Sequence, residues 1–276
     1  MNLKLLFPVL FLMIALALGC KKEPVIQPDT LQPEYQLPQG NHPYDNKILD
    51  FYKKYGTYIL YKFNDKDFQW NISANILYAA DPGDQDYIAQ SLEMMDKKLF
   101  SFYTEPFLKL SLPYKILLSS RIRRIVAPDT LATPVNAVST FSHFTFGQAS
   151  PRLGSLTEQE LTVMKNELHI AYWKQAVITK KVELPDIFIA ATDYGMVQDY
   201  NKNEYGVFTY SYGMTASDDF LDYITAIVSH TAEELEATIF LPENDPQGRF
   251  KFKYNAVINY YKAKYNLDLQ AIGNSK

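Results

Sequence analysis

Three places in the chain set acids and histidines at spacings that could do chemistry. In His230-Thr231-Ala232-Glu233-Glu234, His230 and Glu234 are four residues apart. One helical turn would bring both to one face, as half of a zinc site requires. The same residues also form a capping box, Thr231-x-x-Glu234, which would start a helix and leave His230 outside it. Capping accounts for more of the residues and is the expected arrangement. A second place is Asn166-Glu167-Leu168-His169-Ile170. A glutamate and a histidine two apart on a helix point in different directions and make no site by themselves. The third is Ser217-Asp218-Asp219-Phe220. Its acids could hold a cation, or could favour the N-terminus of a following helix through the dipole.

The elements that must carry these residues are mixed in type. Aromatic and β-branched residues over Tyr58–Phe63 and Phe68–Ile72, around the polar Asn64-Asp65-Lys66-Asp67, predict two strands and a turn. Ile88, Leu92, Met95, Leu99 and Phe102 recur at helical spacing and predict an amphipathic helix over Asp84–Tyr103. Strands are expected at Tyr114–Ser119 and Val138–Phe146. Thr157-x-x-Glu160 opens a second helix, whose Leu161, Met164, Leu168, Ala171 and Gln175 follow one face. Further helices are expected over Phe220–Val228 and Phe250–Tyr265, the latter with a stripe of Tyr254, Val257, Ile258, Tyr261 and Tyr265. Helices and strands alternate without a βαβ rhythm, so the fold class is α+β.

The N-terminal end reads differently. Lys4 precedes an almost wholly apolar run from Leu5 to Leu18, with small residues just before Cys20, the only cysteine of 276 residues. This is the layout of a secretory signal, and the run is short for a spanning helix, which needs ~20 apolar residues. It resembles the bacterial lipobox, which implies cleavage after Gly19 and lipidation of Cys20, with residues 1–19 as the signal. Pro24, Pro28, Pro33, Pro38 and Pro43 interrupt a polar stretch, so residues 20–45 are expected to be an extended tether. A single domain is expected over 46–276. Lys21-Lys22-Glu23 loosely resembles signals that send lipoproteins to the outer face of the outer membrane.

The formal charge is −4 with no basic block, and removing the leader takes away Lys4 alone. A mildly acidic chain without a basic face is not built to bind nucleic acid. With its one cysteine lipidated, the fold rests on its core without disulfides.

Several segments together carry a family likeness. Gly206-Val207-Phe208-Thr209-Tyr210-Ser211-Tyr212-Gly213 is followed by Ser217-Asp218-Asp219-Phe220-Leu221-Asp222. Leu184-Pro185-Asp186-Ile187-Phe188 and Asp193-Tyr194 precede them, while Gly248-Arg249 and Leu267-Asp268-Leu269 flank the tyrosine-rich helix. These resemble the zinc-binding metallopeptidase family that includes the substrate import-associated zinc metallohydrolase lipoproteins, over nearly the whole chain behind Cys20. The resemblance implies a zincin-like metallopeptidase fold, attachment to the outer membrane and partners among outer-membrane import proteins. It also implies a His-Glu-x-x-His helix, in which two histidines hold zinc and the glutamate activates the metal-bound water.

Chain order places that helix behind Thr157. Aligned on its glutamate, Glu167 keeps the position of the base, as a vestige. Asn166 and Ile170 replace the two histidines, and His169 falls one place early, about 100° around the helix. Asp218 or Asp219 stands at the position resembling the third ligand. Isoleucine cannot bind a metal and asparagine is a poor zinc ligand, so a domain without zinc is expected. Two expectations follow. One is a non-catalytic lipoprotein that binds a glycan or peptide in a nutrient-import assembly, through the old cleft or through some of its 21 Tyr and 17 Phe. The other is a zinc hydrolase with non-standard ligands, in which His143, His169 and His230 converge with Asp218, Asp219 or Glu233. Val138–Phe146 is expected at the sheet edge, where an extended peptide could pair.

Overall fold

The computed structural model describes residues 34–69, 77–125 and 135–275. The signal, Cys20 and most of the expected tether lie outside them. The packed unit starts at Leu37, ahead of the boundary expected at Asn46. Its first helix, α1 (Pro43–Tyr55), already buries Tyr44 and Asp45. Pro43 suits that start, since a first-turn proline lacks only an N–H that would have no helical partner. The end of the expected tether is therefore helix.

Among the described residues five strands form one sheet: β1 (Tyr58–Leu60), β2 (Tyr78–Pro82), β3 (Lys115–Arg124), β4 (Ala137–Ser139) and β5 (His143–Phe146). The order is β1-β3-β5-β4, and β2 lies against the second half of β3. β1, β3 and β5 run parallel, whereas β4 is antiparallel to β5. The single strand expected over Val138–Phe146 is thus a hairpin. Ser142 N and His143 N donate to Thr140 Oγ1, which stabilises the reversal, and only its first arm reaches the sheet edge. The strand expected at Phe68–Ile72 is likewise corrected. Asn64 and Asp67 cap each other and start the short helix α2 (Asp65–Gln69), which buries Phe68. Residues 70–72 lie outside the described residues.

The long amphipathic stretch folds as a 3-10 turn, α3 (Ile88–Lys98) and a second 3-10 turn. After α4 (Glu105–Ser111) and the β3–β5 strands comes α5 (Glu158–Ile178), the central helix. Thr157 caps it as expected: its hydroxyl accepts from Glu160 N, and the Glu160 carboxylate accepts from Thr157 N at 2.9 Å. Then follow α6 (Asp186–Ala190), α7 (Ala216–Ser229), α8 (Ala232–Ala237), α9 (Arg249–Tyr265) and α10 (Gln270–Asn274). Side chains alternate across a strand, so Ile59, Ile116 and Phe144 share one face by register. There they join Leu168 and Tyr172 of α5 in the main core. Aromatic rings bind α5 to its neighbours: Trp173 lies 6.0 Å from Phe220 of α7 and 5.0 Å from Tyr261 of α9, centroid to centroid.

Candidate functional site

α5 and α7 pack antiparallel, and that fixes where the expected ligand positions fall. The Asn166 amide, oriented to satisfy its neighbours, donates to Val228 O at 2.9 Å and Thr162 O at 3.3 Å. Seven residues further along α5, Trp173 meets Phe220. Asn166 therefore sits beside the C-terminal end of α7, whereas Asp218 and Asp219 are at its N-terminal end. Nine residues separate Asp219 from Val228, about 13 Å along the axis. The two halves of the expected zinc site are at opposite ends of the helix pair.

Each residue has other work. Glu167 faces the start of β4, where its Oε2 accepts from the Asn136 side-chain amide at 2.9 Å and the Asn136 N–H at 3.3 Å. Asn136 Oδ1 in turn accepts from Gln148 Nε2 at 2.7 Å. Asn136 and Gln148 are buried. This Glu167–Asn136–Gln148 trio ties α5 to the edge hairpin. Ile170 packs against the main core.

His169 is fully buried on another side of the helix. Trp173 Nε1 donates to Tyr103 Oη at 2.9 Å, so the Tyr103 hydroxyl is free to donate to His169 Nδ1, 2.7 Å away. That assigns the ring proton to Nε2. Burial, with Lys165 nearby, pushes the His169 pKa down to about 3, so the ring is neutral.

Asp218 is exposed and completes a capping box, its carboxylate accepting from Thr215 N and Oγ1, each at 2.8 Å. Asp219 is wholly buried and forms an ion pair with equally buried Lys253 of α9. The Tyr194 hydroxyl donates to the same oxygen, Oδ2, at 2.7 Å. Lys253 also donates to Thr192 Oγ1 (3.1 Å) and Gly206 O (2.9 Å), so one ammonium closes the base of the 192–206 loop. Its Nζ lies 4.8 Å from the Phe188 ring centre and 5.0 Å from that of Tyr223, a setting in which rings add to a cation's stabilisation. Burial raises the Asp219 carboxyl and lowers the Lys253 amine, and each partner's charge opposes the other's shift.

The other histidines do not gather here. His143 Nδ1 lies 2.9 Å from Thr140 Oγ1 and 3.0 Å from Ser142 Oγ, and burial followed by Lys115 lowers its pKa to about 3. His230 ends α7, with Nδ1 on Ala226 O at 3.1 Å. Thr231 and Glu234 form their capping box, leaving Glu233 in the first turn of α8. Among the described residues no group of three histidines, cysteines or acids is placed to hold a metal ion. Zinc does not fit the set Asn166, Ile170, His169, Asp218 and Asp219. Its members lack a donor, have engaged it, or lie turns apart.

The residues that organise this region but were not singled out in the sequence are Asn136, Gln148, Tyr103 and Lys253. Lys253 left a signal: it follows Phe250 by three on the stripe that Val257 and Tyr261 continue. A lysine in that register must be paired or must extend its head to the surface.

No protein-family profile matches the chain, and no curated protein does. Among solved structures it is similar to "a putative zinc-binding metallo-peptidase from Bacteroides caccae ATCC 43185", a crystal structure at 2.10 Å resolution. The TM-score is 0.53 at 14% identity, over 84% of this chain and 88% of the other. The likeness establishes a metallopeptidase-like fold of mixed helix and sheet.

Proposed function

We propose that this protein is a metallopeptidase-like domain that has shed its metal centre and works by binding an extended peptide along the outer edge of β4. The hydrogen-bond phase of the hairpin carries this reading. Thr140 N donates to His143 O and Gly147 N to Asn136 O, so residues 136, 138 and 140 face β5. Alternation then turns the N–H and C=O groups of Ala137 and Ser139 outward. Among the described residues no strand pairs with that side. Glu167 and Asn136 stand at its upstream end, giving it polar character, and the backbone groups can add a strand.

Cys20 behind its apolar run and the proline-rich stretch after it support a lipid-anchored protein at the outer membrane. The import-associated family likeness supports an accessory role in nutrient uptake, with import proteins as partners. A peptide is the ligand favoured over a glycan, because the free edge offers backbone groups.

Two measurements test this. Metal content of the purified protein after zinc exposure and desalting should show no retained zinc. Near-stoichiometric zinc, lost on changing Glu167, His169 and Asp219 to alanine, would overturn the reading in favour of a hydrolase with non-standard ligands. Ser139→Pro removes an outward N–H without breaking the β4–β5 ladder, and should weaken peptide binding. Unchanged binding would exclude the edge.

A further inference from the structure

A groove of about 320 Å³ lies between α6 and α9. Ile187, Phe252, Ala256 and the Tyr260 ring form its apolar wall, the Tyr260 hydroxyl being taken by Glu183 and Lys264, and Asn255 and Asn259 supply polar groups. Ile187 is 56% exposed and Phe252 45%. Single exposed apolar side chains are ordinary. Two that line one concave site, beside a few polar groups able to orient a ligand, are the usual composition of a binding pocket.

The polar side has a repeat. Asn255 and Asn259 are one turn apart, which spaces their carboxamides about 6 Å along α9. An extended peptide presents backbone N–H and C=O to one side every second residue, about 6.6–6.8 Å. A carboxamide carries both a donor and an acceptor, so two in this register can each pair with the backbone of alternate residues. Both are solvent-facing, and neither bonds to another described residue.

Charge gives the occupant a polarity. α9 contains no acid, and it carries Lys251, Lys262 and Lys264 on its accessible side. Lys251 is paired with Glu236 and Lys264 with Glu183. Lys262, three residues beyond Asn259 on the same stripe, is exposed and has no ion-pair partner among the described residues. We propose that this groove is a second peptide-binding site, separate from the β4 edge. It takes an extended segment with one apolar side chain between Ile187 and Phe252, its backbone read by Asn255 and Asn259, and an acidic residue at Lys262.

The test is fluorescence anisotropy with a fluorescein-labelled peptide, Thr-Leu-Thr-Leu-Thr-Glu-Glu, on the whole protein. Saturable binding is expected, weakened on the order of tenfold by Asn255→Ala and by Asn259→Ala, since each removes a paired carboxamide. Lys262→Glu should weaken it and restore binding to the same peptide ending in Lys-Lys. These are surface positions, so circular dichroism should show the variants folded. The roughly tenfold loss caused by Asn255→Ala should be the same in a Ser139→Pro background as in the parent, since distant independent sites add, which separates the groove from the sheet edge. The proposal is overturned if the peptide shows no saturable binding to 1 mM (roughly −4 kcal/mol). It is also overturned if the asparagine variants bind as tightly as the parent, or if their effect disappears in the Ser139→Pro background.

Discussion

Two buried histidines should make this fold lose stability in mild acid, before the carboxylates that the fold holds low begin to titrate. His143 and His169 are both 0% exposed, and burial lowers each from 6.5 to about 3. In the unfolded chain they take up protons as pH falls through 6.5, whereas in the folded protein they stay neutral until about 3. The stability from keeping them neutral is therefore complete above pH 6.5 and drains away as pH falls towards 3. Each contributes a slope of about 1.36 kcal/mol per pH unit. From pH 6.5 to 5 that is a loss of about 2 kcal/mol per histidine and about 4 for the pair, against a usual total of about 5–15. Carboxylates lowered in the fold, such as Glu105, held at about 2 by Lys109 and Lys54, keep their full stabilisation above their ordinary value of 4.5 and lose it only below that. The loss in the upper window therefore belongs to the histidines, opposed in part by the carboxyls of Asp219 and Asp222, which burial raises. Urea unfolding followed by circular dichroism at pH 7, 6 and 5 should show the midpoint falling with the slope m unchanged. His169→Gln removes one titrating group, keeps an acceptor for Tyr103, and should halve the dependence. Stability constant within about 0.5 kcal/mol between pH 7 and 5 would refute the reasoning, since two imidazoles that stay neutral only in the folded state must give stability a slope with pH.

Other perturbations are equally direct. Lys253→Met leaves Asp219 buried without its counter-charge and should cost about 3–5 kcal/mol, and adding Asp219→Leu should recover most of that loss. If the double variant is no more stable than the single in urea, the pair is not the source of the cost. Thr157→Ala breaks the capping box of α5 and should lower stability by about 1 kcal/mol, read from the same unfolding curves. Gly273→Ala would set a Cβ 2.1 Å from the carbonyls of Ile227 and His230. Backbone cannot yield cheaply there, so a loss of about 1–3 kcal/mol is expected, visible as a lower thermal midpoint; an unchanged midpoint would show that α10 can move away.

Local rules wrote much of this molecule into its sequence. The Thr157–Glu160 and Thr231–Glu234 boxes start their helices where the pattern placed them, because both partners lie within one turn and need no distant contact. The α+β class and the helical stripes of α3, α5 and α9 were legible for the same reason: periodicity reports which face is buried. Short apolar runs were not. Phe68 joined a helix because Asn64 and Asp67 cap each other, and Val138–Phe146 folded back on itself through the Thr140 hydroxyl. What occupies the site was decided by tertiary structure alone. Sequence aligned Asn166, Glu167 and Asp219 with a metal centre, but the antiparallel crossing of α5 and α7 carries Asp219 about 13 Å away from Val228 and Asn166 along the helix axis. No local pattern shows that Lys253 reaches from another helix to meet it. A buried carboxylate must be neutralised by whatever the fold brings near, and only the packing of α7 against α9 determines that the partner is an ammonium.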